Sequence, residues 1–499
     1  MTLSGVQATN MSEERPRPTG GVLPLRLLQA IALLFLAAKL VMFAVQRPFM
    51  DETYYFLWGQ HPALSYYDHP SLVGWTEGIS GALFGWTIFA LRLPVLLTLI
   101  GDLVLLYLFA RRSSGANWRE PFWMSAALFL SMPLLAALTG TALPDHLLIF
   151  MCLGALHFMQ GFLATVDAGA PRWRWLYAGA AMAGLAILCK YYGALVGAGF
   201  LAALLVTPRY RPLFRSAQLY LAIALALAFL LPVVIWNAQN GFASFAFIFA
   251  SRQGAAHWWT FGGTPGYLVS IVLALSPFLV WPALRFGMDR SSPTSRPAQA
   301  ITVLSTLLFF AVSTVTNTII HWNALAYVAA VPFLGSFIRS RSLAVAHFIY
   351  GALFFALIIF NYSVMPLVVA IGHGDDASSS SGYGVSEVAA QVASLKAETQ
   401  ADFVAGTDYS NASELAFALH DRDVVSLSEK TEAFDFWTDY TALAGKTAIV
   451  VTDPWHPLTS AMRAEFASVD PAGTVDVTSF GKFIARYTLY VARDFHAQP

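Results

Sequence analysis

Charge is what this sequence has least of. Only 12% of its 499 residues are Asp, Glu, Lys or Arg, against 57% hydrophobic. With a mean hydropathy of +0.59, that scarcity excludes an ordinary soluble globular protein. Net charge is zero, and no nucleic-acid partner is expected. Cysteine is nearly absent: Cys152 and Cys189 both sit in apolar segments, which excludes a disulfide framework. No internal repeat is present, and no zinc, phosphate-loop or dinucleotide motif. No small-residue cleavage site closely follows the first apolar run, Leu27 to Val45, so that run reads as an uncleaved membrane span.

What is present is a series of long apolar runs punctuated by arginine. Six clusters lie between runs: Arg15/Arg17/Arg26, Arg111/Arg112/Arg119, Arg172/Arg174, Arg209/Arg211/Arg215, Arg285/Arg290/Arg296 and Arg339/Arg341. They hold 16 of the 29 basic residues, and the positive-inside rule makes all six cytoplasmic. Each interval between clusters must then leave the membrane and return. About eleven spans, within a range of ten to thirteen, are expected, near 24–46, 86–110, 121–138, 146–165, 175–189, 192–206, 217–236, 266–284, 299–318, 324–338 and 344–367. Residues 1–23 form a cytoplasmic tail and 24–369 a polytopic α-helical membrane domain with a first outer loop over 47–85.

The composition breaks at 370–384. Residues 1–369 hold 21 basic and 11 acidic side chains and residues 370–499 hold 8 and 18, a shift from +10 to −10. The "SSSS" segment reads as a flexible linker, followed over 385–499 by a soluble mixed α/β domain on the outer face. Helices are expected at Val385–Thr399, Ala412–Leu419 and Pro457–Phe466. Strands are expected at Asp402–Gly406, Asp423–Leu427, Thr447–Val451 and Phe483–Val491. The acidity of this domain points away from binding anionic lipid.

The same topology collects most of the remaining charges of the membrane domain on the outer side: 47–77, Arg92, Asp145, Lys190, 237–264 and 321–323. Charges at a membrane edge are costly and mark functional sites, although a water interface also attracts them. Lys39 and Asp102 are exceptions that fall within spans. The densest stretch is "MDETYYFLWGQHPALSYYDHP" at 50–70. Asp51 and Glu52 point about 100° apart on a helix. One carboxylate can serve as general base on a hydroxyl while the other positions it or holds a cation; an acid pair before a helix also suits an N-cap. Asp145 has the same two readings. Lys190 lies at the outer turn of a hairpin, as a snorkelling lysine or a phosphate anchor. Arg92 and Arg252 would extend that anchor into a clamp. His257 beside Trp258 and Trp259, and His321 beside Trp322, suit an aromatic belt or a sugar platform.

Taken in order, "DETYYFLWGQHPALSYYDHPSLVGW", "FALRLP", "LPDHLLIF", "GLAILCKYYGAL" and "HWNALAYVAAVPFLG" resemble the C-type glycosyltransferase superfamily. Its bacterial protein O-mannosyltransferase-like, lipid A aminoarabinose transferase-like and rhizobial lipopolysaccharide galacturonosyltransferase-like members are the nearest. "YSNASELAFAL", "FDFW" and "GKTAIVVTD" in the tail are similar to the same proteins.

The resemblance implies a bacterial inner-membrane enzyme. It would move a sugar, with inversion, from a polyprenyl-phosphate donor to a hydroxyl on lipid A, lipopolysaccharide core or another envelope glycan, at the periplasmic face. It implies catalysis by Asp51 with Glu52, donor-phosphate contacts from Lys190, Arg92 and Arg252, and donor or acceptor contacts from Asp145, Tyr54, Tyr55, His321 and Trp322. A divalent metal would be held by Asp68 with His257. The "YYDHPS" stretch departs from the aminoarabinose transferase pattern, with His69 where that pattern has lysine. A protein O-mannosyltransferase, an O-antigen ligase or polymerase, and a lipid-linked sugar transporter are the alternatives. A transporter calls for charges deep in several spans or paired broken helices.

Overall fold

The computed structural model describes residues 22–249, 261–372 and 376–496. The membrane domain starts with α1 (Leu25–Val45), a single apolar helix. Two short helices, α2 (Met50–Gln60) and α3 (Leu72–Phe84), then fill the segment expected as the first outer loop. The long α4 (Ile88–Ser114) starts where the Thr87 hydroxyl accepts the Ala90 N–H at 3.1 Å and stops at Gly115, whose φ of 54° suits a residue without Cβ. The segment expected at 121–138 is two helices, α5 (Arg119–Ser131) and α6 (Pro133–Leu138). Pro133 pushes Met132 into extended backbone and separates them.

Next come α7 (Pro144–Asp167) and α8 (Trp173–Cys189), which pack along each other, then α9 (Ala194–Val206). The run at 217–236 divides into α10 (Ala217–Ala228) and α11 (Leu231–Gln239), bent by 42°, and α12 (Ala243–Phe249) follows. The run at 266–284 is broken more sharply. Its halves α13 (Thr264–Leu275) and α14 (Val280–Met288) meet at 98°, with Ser276 at φ 90° in the break. The membrane domain closes with α15 (Arg296–Ser313), α16 (Ala324–Leu334) and α17 (Arg341–Ile359), the last extended by a π turn to Val364. Among the described residues, five helices are long and apolar enough to cross alone, and up to eight crossings result if each bent pair is one span. Two shorter apolar helices, Trp173–Cys189 and Ala324–Phe337, fall below that length, and proline and irregular backbone interrupt several other apolar runs.

A short α18 (Leu367–Ala370) leads into the tail. The expected flexible linker is packed where it is described: α19 (Ala377–Ser380) is capped by Asp376, and Ser379 and Ser380 are buried. Helix α20 (Val385–Thr399) matches its expected limits, and α21 (Tyr409–Leu419) begins three residues earlier than expected. The sheet contains β1 (Phe403–Gly406), β2 (Val425–Ser426), β3 (Ala448–Thr452), β4 (Phe466–Ser479) and β5 (Lys482–Phe495) in the order β2-β1-β3-β5-β4. Strands β1, β2 and β3 are parallel; β5 runs antiparallel to β3 and β4. The helix expected at Pro457–Phe466 is only α22 (Ser460–Ala464), and β4 is an additional strand. Pro471 and Gly473 hide β4 in the sequence. Its edge position and a register irregularity between those two residues accommodate them.

The tail lies directly on the first outer loop. Phe417 meets Phe56 at 5.1 Å between ring centres, Phe434 faces Tyr54 at 6.2 Å, and Trp437 stacks on His61 at 4.7 Å. Apolar burial of this kind fixes the acidic domain over the acidic loop.

Candidate active site

Helix α2 carries the two neighbouring carboxylates, and they face different surroundings. Glu52 is fully buried. Its Oε2 accepts the Phe49 N–H at 2.9 Å, satisfying a donor at the start of α2, and its Oε1 accepts the Ala142 N–H at 2.9 Å. Arg92 completes the set: Nε and Nη2 donate to the two Glu52 oxygens at 3.2 and 2.9 Å. The remaining guanidinium N–H groups go to the carbonyls of Phe43, Gln46 and Arg47 at 2.8 to 3.1 Å. All five donors of Arg92 are therefore used within the protein. The pair ties the end of α1, the start of α2, α4 and the turn before α7 into one joint.

Asp51 keeps a partial opening to solvent although protein surrounds it. The Tyr409 hydroxyl, from the first turn of α21, donates to its Oδ1 at 3.3 Å. Desolvation pushes the Asp51 carboxyl up to about 6, helped by the charges of Asp68 and Glu52 and opposed by the Tyr409 hydrogen bond and the Lys190 ammonium. Asp68 is thus close enough to act on Asp51, and its Oδ2 accepts the Tyr54 hydroxyl at 2.7 Å. The Tyr54 oxygen in turn accepts the Ala433 N–H of the tail at 3.0 Å. Tyr54 also lies 4.6 Å from the Tyr409 ring, and Tyr55 6.1 Å from the His69 ring. Burial and the surrounding carboxylates raise both the Tyr54 and Tyr55 phenols well above their usual range, so they are neutral donors at physiological pH.

Lys190 faces this group from the break after α8. Its extended backbone (φ −152°, ψ 144°) ends the helix and turns the side chain inward, where it is 3% exposed. Its Nζ donates to Asp145 Oδ2 at 2.7 Å, and the Tyr192 hydroxyl donates to Asp145 Oδ1 at 3.2 Å. Asp145 occupies the first turn of α7, after Pro144 at the start of the helix. His321 acts electrostatically on Asp145, and Trp322 joins through Phe309, 5.8 Å from Trp322 and 5.7 Å from Tyr192. Beside the loop, a cavity of about 280 Å³ is lined by His61, Tyr66, Tyr67 and Trp236 from the membrane domain and by Arg422 and Trp437 from the tail.

The structure therefore gathers Asp51, Tyr54, Tyr55, Asp68, Asp145, Lys190 and His321 at one face. Arg92 binds Glu52 instead of joining Lys190. Arg252 and His257 lie outside the described residues. Among those described, no three His, Cys, Asp or Glu side chains come together in a way that could hold a metal ion. Asp68 is hydrogen-bonded to Tyr54. Tyr409 is 358 positions from its partner, and its sequence signal is its place in the family-like stretch "YSNASELAFAL".

Against solved structures, the chain superposes on ArnT from Cupriavidus metallidurans bound to undecaprenyl phosphate with a TM-score of 0.62 at 16% identity, covering 93% of this chain and 97% of that one. At that identity the likeness shows a shared fold. The apo form of the same ArnT matches with a TM-score of 0.60 at 17% identity, over 92% and 98% of the two chains. The family described as dolichyl-phosphate-mannose-protein mannosyltransferase matches residues 68–236. A lipid A galacturonosyltransferase, RgtD of Rhizobium johnstonii, is 26% identical over 296 residues, which span 56% of this chain and 58% of that relative. The chain thus shares the architecture of ArnT across both its membrane domain and its tail.

Proposed function

We propose that the protein is a polyprenyl-phosphate-sugar-dependent glycosyltransferase of the bacterial inner membrane, with its site and tail on the periplasmic face. The observation that carries this reading is Asp51: a carboxyl raised to about 6, partly open, and close to a buried lysine. Such a group is ionised at neutral pH yet basic enough to take a proton from an acceptor hydroxyl. Attack on the sugar from the side opposite the phosphate inverts its configuration. Lys190 offers its ammonium to the departing lipid phosphate, while Asp145 and Tyr192 hold that ammonium in place.

Glu52 and Arg92 are the frame that aims Asp51 and do not touch donor or acceptor. Tyr54, Tyr55, His321 and Trp322 line the approach, and the aromatic cavity beside Tyr67 suits the acceptor sugar. The likeness to RgtD, a lipid A galacturonosyltransferase, supports lipid A or a related envelope glycan as acceptor. The match to the protein mannosyltransferase family keeps a protein hydroxyl as the second reading. Mass spectrometry of lipid A, core and surface glycans from a deletion strain tests the choice. Loss of one sugar from a glycolipid is expected; an unchanged glycolipid with a protein lacking a hexose would favour the second reading.

A further inference from the structure

The tail ends in a long β-hairpin whose tip is unusual. Strands β4 and β5 are joined by two residues, Phe480 at φ 48° and Gly481 at φ 75°. Two positive φ values make the tight hairpin turn that favours Asn-Gly or Asp-Gly. A phenylalanine at the first of these positions is sterically unfavourable and brings nothing to a turn in water. Yet Phe480 is 83% exposed and Phe483 53% exposed. Among the described residues of the tail from 376 onward, these are the two exposed large hydrophobic side chains.

The depth of the tip is fixed by the membrane domain. The Ser479 hydroxyl donates to the Val364 carbonyl at 2.8 Å, and Lys482 Nζ donates to the Ala370 carbonyl at 2.8 Å. Val364 ends a 24-residue apolar segment that begins at Arg341. That segment is about 36 Å long at 1.5 Å per residue, against a hydrocarbon core of about 30 Å. Val364 and the hairpin tip therefore lie at one bilayer boundary. It is the boundary that carries the catalytic loop, because Arg47 Nη1 donates to the Ser363 carbonyl at 2.8 Å. Leu367 and Ile371, also exposed, extend the same apolar surface beside the tip.

We infer that the β4–β5 tip is a membrane anchor. Phe480 and Phe483 enter the phospholipid interface of the leaflet next to the catalytic loop, and Lys482 stays at headgroup level. The rings leave water for acyl chains, which gives Phe480 in its tight turn a purpose. The tail is then held at two places, by its contacts over α2 and by the bilayer itself. This assignment rests on the membrane fold and not on the identity of any substrate.

The test uses the full-length protein in lipid nanodiscs. Cys152 and Cys189 are buried, so nitroxide can be attached selectively to Phe480→Cys, to Phe483→Cys, and to Ala442→Cys as an exposed control elsewhere in the tail. Collision with oxygen and with a water-soluble nickel chelate reports depth. The expected result is an oxygen-to-nickel ratio several-fold higher at 480 and 483 than at 442, with the deeper reading at 480. Nickel accessibility at both tip positions equal to that at 442 would overturn the proposal. Either labelled tip variant is sufficient if the other fails to fold.

Discussion

Two neighbouring carboxylates on α2 have opposite surroundings. Glu52 is sealed, accepting two backbone N–H groups and a bidentate arginine whose five donors are all used. Asp51, one residue earlier, has among the described residues a single 3.3 Å side-chain hydrogen bond, from Tyr409, and a raised pKa. A saturated carboxylate has no capacity left for chemistry, and an under-satisfied one beside an opening retains it. The same contrast separates the two basic groups, since Arg92 is spent on structure while Lys190 gives Asp145 one of its three ammonium hydrogens in the hydrogen bond between them.

Breaking the sealed pair gives the largest effect expected. Arg92→Ala leaves Glu52 charged and buried without its partner, which costs about 3–5 kcal/mol. Arg92→Lys does not restore it, because an ammonium cannot span the two carboxylate oxygens and three carbonyls. Thermal unfolding in detergent, followed by tryptophan fluorescence, should show both variants failing to accumulate or melting well below wild type. Lys190→Ala sharpens the other side of the contrast. It should raise KM for the lipid-phosphate donor more than tenfold and leave KM for the acceptor within about twofold, removing a charge-assisted bond of about 1.5–3 kcal/mol. Equal losses for donor and acceptor would make Lys190 structural.

The smallest effect expected concerns pH. Asp51 must be ionised to act as a base, so kcat/KM should fall as pH drops through about 6. The Tyr409 hydrogen bond lowers the Asp51 pKa, so Tyr409→Phe should move this acid limb to higher pH by less than one unit. The shift should appear without a change in melting temperature large enough to explain it. A limb that does not move would leave Tyr409 as packing only.

The site residues stand out in the sequence because charge is scarce. That scarcity separates Asp51, Asp145 and Lys190 from the apolar background, and the structure brings them together. The type and position of Arg92 suit a phosphate, whereas its bonds to Glu52 and three carbonyls emerge only when α1, α2 and α4 meet. The tail strands β1 and β3 follow their β-branched runs, whereas Pro471 and Gly473 conceal β4 until its edge position explains them. Tyr409 shows the harder limit. A contact between the first outer loop and a domain more than three hundred residues later leaves no local pattern in either segment.

The central claim is that Asp51 performs the chemistry and Glu52 holds it in place. The direct measurement is single-turnover transfer by purified Asp51→Asn, with saturating polyprenyl-phosphate sugar and with melting temperature recorded on the same preparation. Asparagine keeps the shape and removes a carboxylate whose ionised form burial disfavours. The account therefore predicts a melting temperature equal to or above wild type and a rate lower by about 10²–10⁴. A folded Asp51→Asn enzyme with the wild-type rate would contradict it.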